Sequence, residues 1–195
     1  MIALIYYGAG NMVSVSNVLK ELNAEFVITN NKDEIAASDK IILPGVGEAS
    51  SAMKRLNELG LVQILSTSAK PFLGICLGMQ LLCNQTEEGN ADCLGIIPIN
   101  VKKFDINNLK VPHMGWNQLT SIRNSKILNS INENDYFYFA HSYFIPQNGF
   151  TTSVCNYGFN FSSSLQYRNY YGIQFHPEKS AKQGIQIIKN FLNLC

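Results

Sequence analysis

A cysteine with a glycine two residues to either side is the first feature of this sequence that could do chemistry. It lies in Gly74-Ile75-Cys76-Leu77-Gly78, the thiol counterpart of the G-x-S-x-G nucleophile elbow, in which small residues let a helix pack tightly against the preceding strand. The positive end of the helix dipole favours a thiolate at that turn, and the N–H of Leu77 would face an oxyanion. Cys76 is therefore predicted to be a nucleophile, and a buried structural thiol is the common alternative.

A histidine followed two residues later by a carboxylate supplies the groups that would activate this thiol. His176-Pro177-Glu178 follows an apolar run, and in extended backbone residues i and i+2 point to the same side. Glu178 can then accept a hydrogen bond from one ring nitrogen of His176 while the other faces the thiol, as a base requires. Alone, the pair is more often solvated than catalytic. Together with the elbow, it predicts a triad of Cys76, His176 and Glu178.

A second glycine-bordered turn, Pro44-Gly45-Val46-Gly47, follows another apolar run. Glycine lets the backbone approach a ligand closely because it has no side chain. We expect a backbone N–H near Val46 or Gly47 to complement that of Leu77 as an oxyanion donor. An ordinary strand-to-helix turn is the alternative.

The first half of the chain alternates short apolar runs with helical patterns, which is typical of a parallel sheet covered by helices. Strands are predicted over residues 2–6, 26–29, 40–43 and 71–75, and helices from residue 12 and over residues 48–59 and 77–83. The segment Gly8-Ala9-Gly10-Asn11 is expected to turn the first strand into the first helix. Strand, turn and helix together place Cys76 at the carboxyl edge of the sheet, where open α/β folds bind ligands.

From about residue 97 the sequence consists of strands with polar alternation. They are predicted over residues 97–104, 116–121, 136–139, 152–156, 161–167 and 171–175. We expect these strands to extend the same sheet in an antiparallel or mixed manner. An amphipathic helix over residues 180–194 follows, with Ser180 as its N-cap. Residues 1–195 are thus predicted to form one α/β domain.

Composition excludes several classes of function. The 195 residues carry 15 Lys and Arg against 14 Asp and Glu, a net charge of +1, so a strongly basic nucleic-acid-binding face is not expected. The start lacks the features of a signal peptide, and no apolar run approaches the ~18 residues of a membrane span. We therefore expect a cytoplasmic protein that binds neither nucleic acid nor membrane.

The five cysteines form no C-x-x-C pair, and the three histidines are widely separated. No cysteine or histidine stands at zinc-ligand spacing from another. We expect reduced thiols, no metal site and no cofactor.

These segments resemble the class I, or triad, glutamine amidotransferases, through Cys76-Leu77-Gly78-Met79-Gln80 and His176-Pro177-Glu178. Within that family the sequence is similar to the glutaminase subunits of imidazole glycerol phosphate synthases. Five blocks carry this similarity: Tyr7-Gly8-Ala9-Gly10-Asn11, Pro44-Gly45-Val46-Gly47, Pro112-His113-Met114-Gly115-Trp116-Asn117, His141-Ser142-Tyr143 and Phe175-His176-Pro177-Glu178-Lys179-Ser180. The sequence departs at Tyr6, where many members of that subfamily carry aspartate. The resemblance implies a flavodoxin-like, doubly wound mixed sheet.

The resemblance also implies a reaction. Cys76 would attack the side-chain amide of glutamine, His176 would carry the proton, and water would release glutamate after ammonia has left. Gln80 and Glu88 would recognise glutamine, the carboxylate of Glu88 facing the substrate ammonium. Backbone groups of Gly45, Gly47, Ser142 and Tyr143 would hold its other polar atoms. Without the resemblance, these polar residues would be expected to be merely solvated.

A partner follows from the same resemblance. In that subfamily the glutaminase forms a heterodimer with a (β/α)8 cyclase, which uses the ammonia to make imidazole glycerol phosphate and aminoimidazole carboxamide ribotide in histidine biosynthesis. Trp116, Tyr138 and Lys179 would face this cyclase, although core packing is the alternative for such aromatic residues.

Three other functions stay open at the level of sequence. The same chemistry could supply ammonia to another synthase, such as one that amidates a surface sugar. The chain could also be a binding subunit with an idle triad, or a free-standing thiol protease.

Overall fold

Strands and helices alternate in the first part of the chain, and strands dominate after residue 82. The computed structural model describes residues 1–8, 11–105, 107 and 109–195. The strands are β1 Ile2–Ile5, β2 Phe26–Thr29, β3 Lys40–Gly45, β4 Phe72–Cys76, β5 Cys83–Thr86, β6 Ala91–Asp92, β7 Ile97–Lys103, β8 His113–Ile122, β9 Tyr136–His141, β10 Tyr143–Phe144, β11 Thr151–Asn156, β12 Asn160–Tyr167 and β13 Tyr170–Ile173. The α-helices are α1 Met12–Glu21, α2 Lys32–Ala37, α3 Ala49–Glu58, α4 Val62–Ser66, α5 Leu77–Leu81 and α6 Ala181–Leu194. Short 3-10 helices span Lys126–Leu128 and Pro177–Lys179. The predicted turn at Gly8-Ala9-Gly10-Asn11 includes Ala9 and Gly10, which lie outside the described residues.

A nine-stranded mixed sheet forms the centre of the fold, in the order β2-β1-β3-β4-β13-β12-β11-β8-β9. The first five of these strands are parallel and follow the flavodoxin-like order 2-1-3-4-5. The other four are antiparallel to their neighbours. Parallel strands must be covered on both faces, which explains why all four residues of β1 are buried.

Two apolar layers cover the two faces of this sheet. On one face, Leu19 of α1 and Ile187 and Phe191 of α6 are fully buried and pack with the aromatic residues of the antiparallel strands. On the other, Leu56 of α3 and Met79 of α5 are fully buried in a separate layer. Burying each such side chain contributes ~1.5–3 kcal/mol, so both layers hold the sheet in place.

The strand predicted over residues 97–104 does not extend the main sheet, so that expectation is wrong. It forms β7 in a four-stranded sheet of order β10-β7-β5-β6. Ile97 and Val101 are fully buried beside Leu81 and Leu82. Because these apolar residues pack in the layer that contains α5, β7 lies on the face of the main sheet that α3 and α5 cover.

Two local predictions at helix ends also need correction. The helix expected over residues 77–83 ends at Leu81, and Cys83 begins β5. Ser180 does precede α6, but its hydroxyl makes no capping bond. The hydroxyl donates to the carbonyl of His176 at 2.5 Å and accepts from the N–H of Tyr138 at 3.0 Å. It therefore ties the turn after β13 to β9 instead of capping the helix.

Several short elements were not predicted, among them α2, α4, β5, β6 and β10. For α2 a signal exists, since the side-chain oxygen of Asn31 accepts hydrogen bonds from the N–H groups of Asp33 and Glu34, as an N-cap does. No helix in the described part of the chain is long and apolar enough to cross a membrane.

Candidate active site

Cys76 occupies a strained turn between β4 and α5. Its φ of 53° and ψ of −110° lie in a backbone region that residues other than glycine rarely adopt. Such strain costs ~1–3 kcal/mol and persists only where the surroundings impose it. The elbow is therefore held in place by its packing.

Three glycines allow that packing. A Cβ atom on Gly78 would lie 1.9 Å from the carbonyl oxygen of Leu43, and one on Gly74 would lie 2.5 Å from the carbonyl oxygen of Gly78. A Cβ atom on Gly45 would lie 2.5 Å from the nitrogen of Gly78. The helix can approach β3 and β4 this closely only because all three positions lack side chains.

His176 and Glu178 form a buried pair beside the elbow. Nδ1 of His176 lies 3.0 Å from Oε1 of Glu178, and their side chains are only 5% and 2% exposed. The side-chain amide of Asn11 donates to the same carboxylate oxygen at 3.1 Å. The N–H of His176 donates to the carbonyl of Tyr138 at 2.8 Å. These contacts fix the ring and leave Nε2 available to a reacting group.

The pKa of His176 is displaced strongly. Burial lowers it, but hydrogen bonds and charges from Cys76 and Glu178 outweigh burial and raise the pKa to about 10. The raised pKa favours a protonated imidazole at neutral pH, a form that is able to donate a proton to a departing amine or ammonia.

A cavity of about 250 Å³ opens over Cys76 and His176. The cavity is lined by Val46, Gly47, Cys76, Leu77, Gln80, Glu88, Ala140, His141, Ser142, Tyr143, His176 and Lys179. Most of the predicted site residues are therefore brought together. Gly45 lies beneath the elbow instead, and Glu178 lies behind His176. No group of three or more His, Cys, Asp or Glu side chains that could hold a metal occurs among the described residues.

The predicted oxyanion donors flank the thiol. Gly45 pairs with Cys76 across β3 and β4, so Val46 and Gly47 leave the sheet beside the elbow. Gly47 adopts a φ of 96°, which suits glycine. Leu77 is the first residue of α5, and its N–H therefore has no acceptor within the helix.

Gln80 and Glu88 both line the cavity, and each is also tied to the protein. The NH2 group of Gln80 donates to the carbonyl of Tyr143 at 3.0 Å and to the side-chain oxygen of Gln174 at 2.9 Å. One carboxylate oxygen of Glu88 accepts from the N–H of Ala49, at the start of α3, at 2.9 Å. Burial, above all, raises the pKa of Glu88. Gln80 can thus offer a ligand only its oxygen, and Glu88 only its second oxygen.

The family assignment follows from a match that spans almost the whole chain. The model of the class I glutamine amidotransferases matches residues 3–195. The chain belongs to the class I glutamine amidotransferases. The elbow and the buried histidine-carboxylate pair are thus features of a glutamine amidotransferase.

Relatives of this amidotransferase are described as imidazole glycerol phosphate synthase subunit HisH. One from Bacteroides fragilis is 47% identical over 195 residues, which cover 99% of each chain. One from Blochmanniella floridana is 46% identical over 194 residues, again 99% of each. A solved glutamine amidotransferase structure matches with a TM-score of 0.75 at 16% identity, covering 100% of this chain and 98% of that chain. The relatives confirm the predicted subfamily resemblance, and the structural match confirms the predicted α/β fold.

A buried histidine pair in this amidotransferase was not predicted to have a role. Nδ1 of His141 lies 2.7 Å from the carbonyl of Tyr143, so that nitrogen must carry the proton. Its Nε2 must then accept from Nδ1 of His113, 3.0 Å away. The side-chain amide of Asn117, 3.2 Å from Nε2 of His113, completes the chain as a donor. Burial lowers the pKa of His141 to about 3 and that of His113 to about 4, so both rings are neutral.

Gln174 is a further residue that the sequence analysis missed. It is fully buried, and its side-chain nitrogen lies 3.6 Å from the sulfur of Cys76. A polar residue between Ile173 and Phe175, both fully buried, was the available signal.

An exposed aromatic surface of the amidotransferase begins at the edge of the cavity. Trp116 pairs with Tyr138 across β8 and β9, their rings are 6.2 Å apart, and Nζ of Lys179 lies 5.5 Å from the centre of the Tyr138 ring. Met114 is 64% exposed and Trp116 is 53% exposed. We call Met114, Trp116, Tyr138 and Lys179 the aromatic surface. Trp116, Tyr138 and Lys179 were predicted to face a partner, and the structure places them together beside the cavity, with Met114 as an addition.

Proposed function

We propose that this chain is the glutamine-hydrolysing subunit of an imidazole glycerol phosphate synthase, acting in the cytoplasm as one domain over residues 1–195. The observation that carries the proposal is the convergence of Cys76, His176 and the Val46-Gly47 turn on one cavity. The identity of 47% over nearly the full length of a relative described as subunit HisH supports the choice of synthase.

In the proposed reaction, the proton of the Cys76 thiol is held by His176, and the resulting thiolate attacks the side-chain amide carbon of glutamine. The negative charge that forms on the amide oxygen is stabilised by the N–H of Leu77 and by an N–H of the Val46-Gly47 turn. The C–N bond then breaks, and His176 donates its proton to the nitrogen, which leaves as ammonia. A thioester between Cys76 and the glutamyl group remains.

Water completes the reaction. The neutral imidazole of His176 accepts a proton from a water molecule, the resulting hydroxide adds to the thioester carbonyl, and the C–S bond breaks to release glutamate. Glu178 holds the ring through Nδ1 in both halves of the reaction. Each step uses only side chains, backbone groups and water, so the proposal includes no cofactor or metal.

Recognition of glutamine is assigned to the remaining wall of the cavity. We propose that the unpaired oxygen of Glu88 accepts from the substrate ammonium and that the oxygen of Gln80 accepts from a substrate N–H. Backbone groups of Gly47, Ser142 and Tyr143 complete the contacts. Gly45 acts mainly by admitting α5, since it lies under the elbow and outside the lining of the cavity.

The aromatic surface is proposed to bind a (β/α)8 cyclase as a heterodimer, with Tyr138 and Lys179 near the passage of ammonia. Ala140 supports this placement, because it lines the cavity and lies opposite Met114 on the same sheet face. A partner that covers the aromatic surface would therefore also cover one edge of the cavity. The cyclase would use the ammonia to make imidazole glycerol phosphate and aminoimidazole carboxamide ribotide.

The test is glutamate release from glutamine by the purified chain, alone and with a candidate cyclase and its phosphoribulosyl ligand. Cys76→Ala serves as the blank, and we expect it to lose activity by about 10⁴-fold or more, as removal of a nucleophile does. Stimulation by the cyclase that disappears in Cys76→Ala is the expected result.

Other outcomes would reject parts of the proposal. Activity that depends on Cys76 but ignores the cyclase would point to a different ammonia-accepting synthase. Turnover that survives in Cys76→Ala would reject the triad, and peptide hydrolysis without glutamine hydrolysis would indicate a protease.

A further inference from the structure

Gln174 contacts the nucleophile from inside the protein. Its side-chain nitrogen lies 3.6 Å from the sulfur of Cys76, which is within hydrogen-bonding range for sulfur. The residue is fully buried and does not line the cavity. Its backbone N–H donates to the carbonyl of Ser163 at 2.8 Å, which fixes the residue beyond the end of β13. A bound substrate would therefore meet Cys76 and not Gln174.

The orientation of the Gln174 amide follows from one backbone carbonyl. The carbonyl of Tyr143 can only accept, so the side-chain group of Gln80 that lies 3.0 Å away must be its NH2. The same NH2 group lies 2.9 Å from the Gln174 side chain, and the atom facing it must be the oxygen. The NH2 group of Gln174 then points at Cys76. Amide orientations are otherwise ambiguous, but here an acceptor-only group sets both.

Two neighbours of the sulfur prefer opposite protonation states. The carbonyl of Ala140, 3.9 Å from the sulfur, can accept from a thiol and repels a thiolate. The NH2 group of Gln174 donates, and hydrogen bonds to charged groups are about twice as strong as those to neutral ones. Since the amide is neutral and holds its protons, it cannot compete with His176 as a proton donor.

We infer that Gln174 is a positioning residue that holds the sulfur of Cys76 in its attacking state, and that Gln80 acts through Gln174 as well as on substrate. This inference rests on the proposed function. The two roles are thereby assigned to different residues: His176 carries the proton, and Gln174 stabilises the sulfur after the sulfur has lost its proton.

The first test replaces Gln174 with leucine, which has a similar size and no donor. Loss of one hydrogen bond to a charged group predicts a fall in kcat for glutamine hydrolysis of about 10- to 100-fold. KM should change less than about twofold, because Gln174 lies outside the cavity. Gln174→Glu keeps the bond from Gln80 but presents a carboxylate to the sulfur, and we expect a larger fall in kcat.

The second test does not depend on glutamine. Alkylation of Cys76 by iodoacetamide, followed by mass spectrometry of its peptide, should slow in Gln174→Leu, and its pH profile should move upward. In Gln174→Glu, where a carboxylate faces the sulfur, the reaction should be slower still and its pH profile should move further upward. Ser163→Ala is the matched control, since Ser163 is fully buried and its hydroxyl bonds Ser153 at 2.7 Å. It should keep the wild-type kcat and alkylation profile.

A double-mutant cycle tests the link to Gln80. Gln80→Leu combined with Gln174→Leu should cost clearly less in alkylation rate than the product of the two single effects, because Gln80 orients the same donor that Gln174→Leu removes. Independent effects would reject the role of Gln80.

The two proposals fail in different ways. If Cys76 alkylation and its pH profile are unchanged in Gln174→Leu and Gln174→Glu, the inference is wrong even if glutamine hydrolysis by the wild type is robust. If the wild type hydrolyses no glutamine with its partner present while alkylation still depends on Gln174, the proposed function fails. If Gln174→Leu does not fold, the charged variant decides, since Gln174→Glu retains the bond to Gln80.

Discussion

Two histidines line the same cavity, and their pKa values are displaced in opposite directions. His176 is 4% exposed and His141 is 6% exposed, so burial is nearly equal. For His176, burial is outweighed by the bonds and charges of Cys76 and Glu178, and the pKa rises to about 10. For His141, whose partners are a backbone carbonyl and another histidine, burial prevails and the pKa falls to about 3. The neighbouring groups therefore decide the charge of each ring: those of His176 favour an imidazolium, and those of His141 do not offset burial and leave a neutral donor.

The largest effect should come from removing the proton carrier. His176→Asn keeps a side-chain amide near the position of Nδ1 but cannot protonate the leaving nitrogen. General acid and base catalysis contributes about 10²- to 10⁴-fold, and we expect kcat for glutamine hydrolysis to fall by that factor. Steady-state glutamate release measures it, and a loss below tenfold would contradict the role assigned to His176.

Neutralising the carboxylate should weaken the difference between the two rings. Because the folded pKa of His176 is raised, its stabilising contribution is complete below about pH 6.5, the value for a free histidine. That contribution is lost as the pH rises through about 10. In Glu178→Gln the pKa of His176 is raised less, so less stability is lost on going from pH 7 to pH 9.

Urea unfolding of both proteins at pH 7, 8 and 9 measures this change. We expect the wild type to lose up to about 2 kcal/mol more than the variant over that interval. Parallel curves would show that Glu178 does not set the charge of His176.

A smaller effect is expected on the neutral ring. His141→Asn places an amide near the position of Nδ1, so the donor to the carbonyl of Tyr143 can be kept. Since His141 moves no proton in the proposed reaction, kcat should fall less than about tenfold. KM should rise, because the bond from His113 to Nε2 is lost and the wall of the cavity is held less firmly. Equal losses in His141→Asn and His176→Asn would abolish the distinction between the two rings.

The smallest effect on the isolated chain should come from the aromatic surface. The ring of Trp116 packs against Tyr138, and Trp116 does not line the cavity that contains His176 and His141. Trp116→Ala should leave unstimulated glutamate release within about twofold of the wild type. Removal of an aromatic anchor commonly costs ~2 kcal/mol or more in binding, so the cyclase concentration needed for half-maximal stimulation should rise about 30-fold. An unchanged titration would place the partner elsewhere.

Local patterns explain which parts of the molecule could be predicted. The elbow and the His176-Glu178 pair each fit within a few residues, so both could be predicted. The reason given for the pair was wrong, because Pro177–Lys179 forms a 3-10 helix and not extended backbone, and this turn brings Glu178 back to His176. Apolar runs revealed the parallel strands, and in β1, β3 and β4 these runs are almost entirely buried. β5 was missed because its two central residues are exposed, so it has no apolar run.

The remaining site depends on contacts between distant segments. His113 meets His141 only because of the pairing of β8 with β9, and Gln174 meets Gln80 across 94 residues of sequence. No spacing in the sequence encodes these pairs. The prediction that β7 belongs to the main sheet was wrong for the same reason, since its apolar residues pack beside α5.

The pairing of β4 with β13 has a consequence for the synthesis of the protein. Gly74 lies opposite Gly172, so one of the two neighbours of β4 is synthesised almost a hundred residues after the strand that carries the thiol. While the ribosome is still translating the intervening segment, Cys76 has neither its imidazole nor the carboxylate behind it. The growing chain therefore bears this thiol without the other two members of the proposed triad until residue 178 has emerged and the last parallel strand has joined the sheet.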